Sequence, residues 1–560
     1  GMLVLRADNQ QVVASDAQYG DKIMDIDLDR FGRVATVSLD GYVRLYSREF
    51  RLIGRRTLPS PNKKLSAVRF SPDGALLAIG HIDLPPVSVG SAKDLAFAFS
   101  PATQALAGQV GFDSIAWSSD GEYLYAAGDY QGKERSPIYR WNQQGRGAQE
   151  RFPLADNRVT EIRAMPNGAI AYAAEDPAIG IIDAQARPVA LRGPDIIDFS
   201  AAQAQLAVAA DGSVLRYPLK RNAATVHYFS PLLGGDQDLS AARKAAPLPP
   251  KLQAPGWDIV NWKNSREPSI NGKRPKLDDY EIARSYAIAP DNKTLLLGTE
   301  WALRLLDQGA NEIWNVSLPA VVWAVNIAQH GKLAVAALSD GTLRWYRLRD
   351  GKEVFSYFPH NNGQDWIAWA PSGYYVSSIY GDNFVGWHLN RGKDLAPDFY
   401  RAVQFDRILY RPDIVAASFK AELATKPNSV KIPGSGGFDI SKLRDIAPPR
   451  LHFKKVLVRG ADSPRLQIEV QGEKNRQAIQ DVTVFVNNIP VTPNAERVLR
   501  AGESERFTRS IEVDLFDRNN SIRAEAFDGR AMGVAETFVS APGTTTLKPQ
   551  AGKLFVLAVG

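Results

Sequence analysis

The stretch "VRFSPDGALLAIG", residues 68–80, decides how this chain is read. Runs of strand-preferring residues flank Ser-Pro-Asp-Gly, and those four residues supply the backbone angles of a tight reversal. The stretch predicts a β-hairpin whose second strand ends in small residues. The same plan returns in "IAWSSDGEYLYAAG" (115–128) and "YAIAPDNKTLLLGT" (286–299). A third strand follows in several units: "DGYVRLYS" (40–47), "DGSVLRYP" (211–218) and "DGTLRWYR" (340–347) place Asp-Gly at a turn and then alternate apolar with polar residues. A fourth strand, such as "KEVFSYFPH" after Gly351, closes the unit.

Four strands in about 40–50 residues, repeated, are the signature of a propeller blade. Hairpins are predicted to start near Ile23, Ala67, Ser114, Thr160, Ile196, Ser285, Val322 and Trp366. Eight blades are expected, with seven the close alternative. The last unit (366–390) has three predicted strands, so residues 2–15 are expected to complete it, because a ring loses its exposed edges only by pairing its first and last blades. Residues 231–283 fit no blade; with "APLPP" at 246–250 and two tryptophans, Trp257 and Trp262, they read as a long ordered excursion from the fifth.

After Asn390 the pattern changes. Phe399, Val403, Phe405, Ile408 and Leu409 recur near helical spacing, and a second helix is predicted past Pro412. "KIPGSGGFDISKLRDIAPPR" (431–450) then reads as a flexible link. From Arg450 to about Ala541, five to seven short alternating strands predict an immunoglobulin-like β-sandwich. The fold class is thus all-β: a propeller over 1–395, a helical connector and linker over 396–447, and a sandwich over 448–545. The chain ends in "KLFVLAVG" (553–560), an apolar run of the kind found in strands covered on both faces.

Three stretches together carry a family resemblance. Residues 365–415, "VTVFVNNIPV" with "NSIRAEAFDG" (482–529), and the terminal "KPQAGKLFVLAVG" are similar to the WD-repeat, immunoglobulin-like linker and first catalytic strand of bacterial caspase-like peptidases. The resemblance implies that residues 546–560 are a linker and the first strand of a caspase-like domain that is missing from this chain, with its His/Cys dyad lying beyond Gly560. It also implies a regulatory role for the residues present, and a chain without peptidase activity of its own.

Composition supports and limits this reading. The 560 residues are 44% hydrophobic and 23% charged, ordinary globular values for more than one domain, and no apolar run reaches the roughly 18 residues of a membrane span. A cytoplasmic location is expected. There is no cysteine, which excludes disulfides, thiolate metal sites and cysteine nucleophiles among these residues. Between Arg243 and Lys276, eight basic residues face two acidic ones, an excess that equals the whole formal charge of +6. A nucleic-acid surface is one reading of that run, and a solvated insertion is the preferred one.

The six histidines (His81, His227, His330, His360, His388, His452) show no metal-ligand spacing, "GSGG" at 434–437 lacks the strand and helix of a phosphate loop, and no G-x-S-x-G elbow occurs. No cofactor or metal is implied. Trp301 sits between the second and third strands of its unit, while Trp323 and Trp366 lie near blade starts. Core packing is the plain reading of each; as binding residues they would be the anchors of a protein or peptide ligand on a propeller face. The expected function is a non-catalytic, protein- or peptide-binding regulatory region, with a membrane or nucleic acid not the expected partner. The rivals are a self-contained propeller hydrolase using carboxylates around the central channel, and a nucleic-acid scaffold using residues 243–276.

Overall fold

The computed structural model describes residues 1–540 except 59–63, 83–86, 103–108, 110, 133, 176–177, 186, 194–195, 220–225, 233–245, 425–429, 433–439, 460–464, 493–496, 500–502 and 516–518. The terminal "KLFVLAVG" and "GSGG" lie outside the described residues, as do Arg243 and Lys244. The chain divides into two compact units, Gly1–Asp195 and Ile196–Gly560. It is all-β apart from short helical segments, and no helix among the described residues is long and apolar enough to cross a membrane.

The first unit holds four antiparallel four-stranded meanders, spanning 23–57, 65–99, 114–155 and 159–192. Each opens on a predicted hairpin. In the first, Val34–Ser38 is buried along its whole length while Leu52–Thr57 is mostly exposed, the gradient of a blade whose inner strands are covered on both faces. Neighbouring blades are stitched through their first strands: the Val68 and Phe70 amides donate to the carboxylates of Asp25 (2.9 Å) and Asp27 (2.7 Å), and the Ile162 amide donates to Ser114 Oγ (2.9 Å).

The second unit holds a three-stranded sheet (207–229), a four-stranded blade (283–317) and a six-stranded sheet (322–377). The six-stranded sheet corrects one expectation. Trp366–Trp369 pairs with Glu353–Pro359 instead of opening an eighth blade, and Met2–Leu5 pairs with Val12–Asp16. Among the described residues eight predicted hairpin starts thus give seven blade-like sheets. A local strand partner close in sequence costs less loop-closure entropy than a remote one, and both segments take it. The predicted third strand of that last unit, Gly386–Leu389, pairs forward with Asp398–Arg401, so Phe399 lies in a strand and not in a helix.

The sheet at 207–229 packs on the sheet begun at Val322, in one cluster with Phe199, Leu215 and Phe229 against Val335, Trp345 and Phe355. Trp345 is fully buried and its indole N–H donates to the Gly212 carbonyl at 2.9 Å, while Phe229 stacks on Tyr357 with ring centres 3.6 Å apart. The connector docks on this cluster. Asp406–Leu409 and Pro412–Leu423 are helices, with proline in the first turn of the second, and Phe405, Leu409 and Phe419 are fully buried. Arg347 forms an ion pair with Glu422 at 2.5 Å.

Residues 450–540 form two sheets. Arg450–Arg459, Arg465–Glu473 and Arg506–Asp514 make one; Ile489–Pro490, Asp481–Val486, Asn519–Phe527 and Met532–Ser540 make the other. Period-two burial puts Leu466, Ile468 and Val470 of the first against Val482, Val484, Ile522 and Ala524 of the second in one core. Contacts tie this pair of sheets to the connector: Gln404 Nε2 donates to the Met532 carbonyl (2.9 Å), Arg401 pairs with Glu536 (2.8 Å), and the Arg407 guanidinium lies 4.3 Å from the Phe527 ring centre.

Candidate functional site

Strand starts and the turns between second and third strands fall at the same end of a blade meander. In the blade at 283–317 that end carries Arg284 and Glu300, and the next sheet places Trp323 beside them. The Arg284 guanidinium lies 5.0 Å from the Trp323 ring centre, donates to Glu300 Oε2 at 2.6 and 2.9 Å, and donates to Asn264 Oδ1 at 2.7 Å. Trp301 follows Glu300 directly in the turn, and its carbonyl accepts the Leu318 amide at 2.7 Å. Trp301 and Trp323 are half-buried, each with part of its surface open to solvent. The structure thus places Arg284 over one of the three predicted tryptophans, Trp323, and bonds it to Glu300, the residue before Trp301. Arg284 and Glu300 had no motif of their own in the sequence; their only signal was a carboxylate directly before Trp301.

Trp366 sits elsewhere. Its ring packs against Phe229 (5.7 Å between centres) and Tyr357 (6.1 Å), and its amide donates to Ser378 Oγ at 3.0 Å. It contributes to the aromatic cluster that holds the sheets together.

A second arrangement recurs through the blades: an arginine in the third strand reaches a carboxylate at the preceding turn. Arg44 donates to Asp40 at 2.7 Å and Arg344 to Asp340 at 3.0 Å; in the blade at 283–317 Arg304 instead reaches Glu281, which precedes the first strand, at 2.7 Å. Burial opposes ionisation of Asp40, but bonds from Arg44 and Ser38 outweigh it and hold its carboxyl well below the usual range. The pattern D-G-x-[VL]-R was present in the sequence, where the Asp-Gly pairs read only as turn formers.

In the first unit carboxylates meet arginines from other blades. Arg69 binds Asp25 with one nitrogen and Glu161 with the other, the latter at 3.3 Å, and Arg163 also pairs with Glu161 at 3.0 Å. These two acids meet across one guanidinium. Asp27 is pushed up by burial, yet its Oδ2 is occupied by the Phe70 amide at 2.7 Å. Among the described residues no group of three or more His, Asp or Glu side chains is placed to hold a metal ion.

One more carboxyl is perturbed. Asp382, 8% exposed in the turn before Gly386–Leu389, is pushed up to about 6 by burial and by the nearby Asp406 charge. It faces the Tyr375 hydroxyl at 3.5 Å, and that hydroxyl donates to the Ala402 carbonyl at 3.2 Å. The adjacent cavity, about 160 Å³, is lined by Ile367, Trp369, Tyr375 and Trp387 and carries no nucleophile.

No protein-family model matches the chain, and no curated protein matches it. Solved structures similar to it include U3-55K (13% identity, TM-score 0.28, 59% of this chain and 90% of that one) and the WD40 repeats of RRP9 (12%, 0.28, 59% and 89%). The mitotic checkpoint complex is another (14%, 0.27, 59% and 89%). All three TM-scores are below 0.5.

Proposed function

We propose that this chain is the non-catalytic regulatory region of a caspase-like cysteine peptidase, and that it binds a polypeptide at the end of the blades carrying Trp301 and Trp323. The observation that carries the reading is the Trp323 indole held by an arginine that Glu300 buttresses, with part-exposed Trp301 next to Glu300 in the chain, the composition of an interface anchor. The caspase-like half rests on the resemblance of residues 365–415 and 482–529, with the sheets at 450–540 taken as the immunoglobulin-like linker. The connector, packed on a blade sheet on one side and on the linker on the other, would transmit occupancy of the blades. The chain itself is proposed to have no peptidase activity, since it has no cysteine.

Peptides selected from a displayed random library against the chain test the binding half. Replacing Trp301 and Trp323 by alanine should weaken the selected peptides by at least about tenfold, or 1.4 kcal/mol; unchanged affinity overturns the site. Sequencing the coding DNA past codon 560 tests the other half: a domain with a His/Cys dyad is expected, and a stop codon or an unrelated domain overturns it.

A further inference from the structure

The excursion expected from the fifth blade forms, over its described residues 246–283, a built surface on the blade at 283–317. The Tyr286 hydroxyl donates to the Leu252 carbonyl at 2.8 Å, the Trp257 indole donates to the Asn292 carbonyl at 3.0 Å, and Trp262 packs edge-on against Tyr286 with ring centres 4.9 Å apart. Ile259–Val260 and Ser269–Ile270 form a small hairpin, with Ile270 1% exposed. Ala246 and Tyr280 hold φ of 45° and 67°, a region that costs a residue with a Cβ of order 1 kcal/mol or more and persists only where surroundings fix it.

This surface carries an open cleft of about 520 Å³ with a mainly polar lining, in which Gln253 and Asp258 join Leu252, Pro255, Trp257 and Tyr286. Its rim is basic. Lys251, exposed, precedes Leu252 and reaches Asn292; Lys273, exposed, follows the turn in which Asn271 exchanges two 2.7 Å bonds with Asp258. Lys263, Arg266, Arg274 and Lys276 are exposed on the same segment, where Glu267, paired with Arg274 at 3.0 Å, and Asp258 are the acids between 251 and 276, and Asp307 of the blade lies near Lys273.

We infer that this cleft is a second docking site, which takes an acidic polypeptide segment with one apolar side chain seated against Trp257 and its carboxylates on Lys251 and Lys273. Charge complementarity selects the acid, and the pinned indole supplies a wall that needs no ordering on binding. Nucleic acid is disfavoured because Trp262 is packed edge-on against Tyr286 and Tyr280 lies under the Arg266 guanidinium at 5.1 Å, which leaves Trp257 as a single ring where a base-stacking platform needs several.

The test uses the whole chain and a short fluorescein-labelled peptide of aspartates and glutamates around a central leucine, followed by anisotropy at about 50 mM salt. Binding is expected, weakened at least about tenfold by the exposed double change K251E/K273E with an unchanged melting temperature, and weakened again when glycine replaces the leucine. W301A/W323A should leave it untouched, which separates this site from the blade-end reading. The inference is overturned by no binding, by equal binding to K251E/K273E, by equal binding of the glycine peptide, by loss in W301A/W323A, or by tighter binding of oligo-dT than of the peptide.

Discussion

Glu281 shows how much rests on single side chains. Its buried carboxylate receives the Arg304 guanidinium and the Thr299 hydroxyl, and the Arg304 side chain is itself only 5% exposed. Glu281→Ala would leave that arginine buried without its main partner, a loss of about 3–5 kcal/mol in urea unfolding. Arg187→Ala, which breaks a pair whose arginine is 74% exposed, should cost about 1 kcal/mol or less. Equal costs for the two would refute the ranking. Asp382 acts in the opposite sense. Its raised pKa means that the folded chain holds a proton up to about pH 6, whereas an unfolded aspartate releases it near pH 4. The stability it contributes is therefore complete below about pH 4 and lost as pH rises toward about 6. Asp382→Asn, neutral throughout, should melt with the wild type at about pH 4 and a few degrees above it at about pH 7.5. Parallel melting curves across that range would sink this assignment. Neither residue carried a signal in the sequence, because burial and a partner remote in the chain made both.

At the scale of elements, the connector is the joint between the blade sheet and the sheets at 450–540, and Phe419 is its central contact, with ring centres 5.4 Å from Phe355 and 6.3 Å from Trp345. Phe419→Ala should cost about 3–5 kcal/mol and raise amide exchange across Pro412–Leu423. Exchange that stays protected there would show that the helix is held by other contacts. The helix itself was legible from Pro412 onward, since proline in a first turn followed by apolar residues at helical spacing has few other readings. The segment before it was not. Phe399 fits a helical period and also a two-residue alternation, and the neighbouring strand Gly386–Leu389, whose availability depends on where Trp366–Trp369 pairs, settled the choice.

Across the whole molecule, the blade hairpins were read from turn chemistry alone, because Asp-Gly and Pro-Asp turns between strand-forming runs fix local pairing with partners a few residues away. Strand pairing that reaches past one unit was not legible: nothing in "WIAWAPSG" says that it will extend the preceding sheet. Of the candidate site the sequence names Trp301, Trp323 and Trp366 but not Arg284, whose place over Trp323 depends on its strand, Ala283–Ile288, lying beside the neighbouring sheet. The same divide between near and far governs synthesis. The Trp345 indole closes on the Gly212 carbonyl across 133 residues of chain, and at the usual elongation rate of roughly 5–20 residues per second Trp345 is made about 7–27 s after Gly212. For that interval Phe229 and Leu215 are made but their covering sheet is not, so a nascent chain halted before Val322 should recruit hydrophobic-binding chaperones that one halted after Pro359 releases.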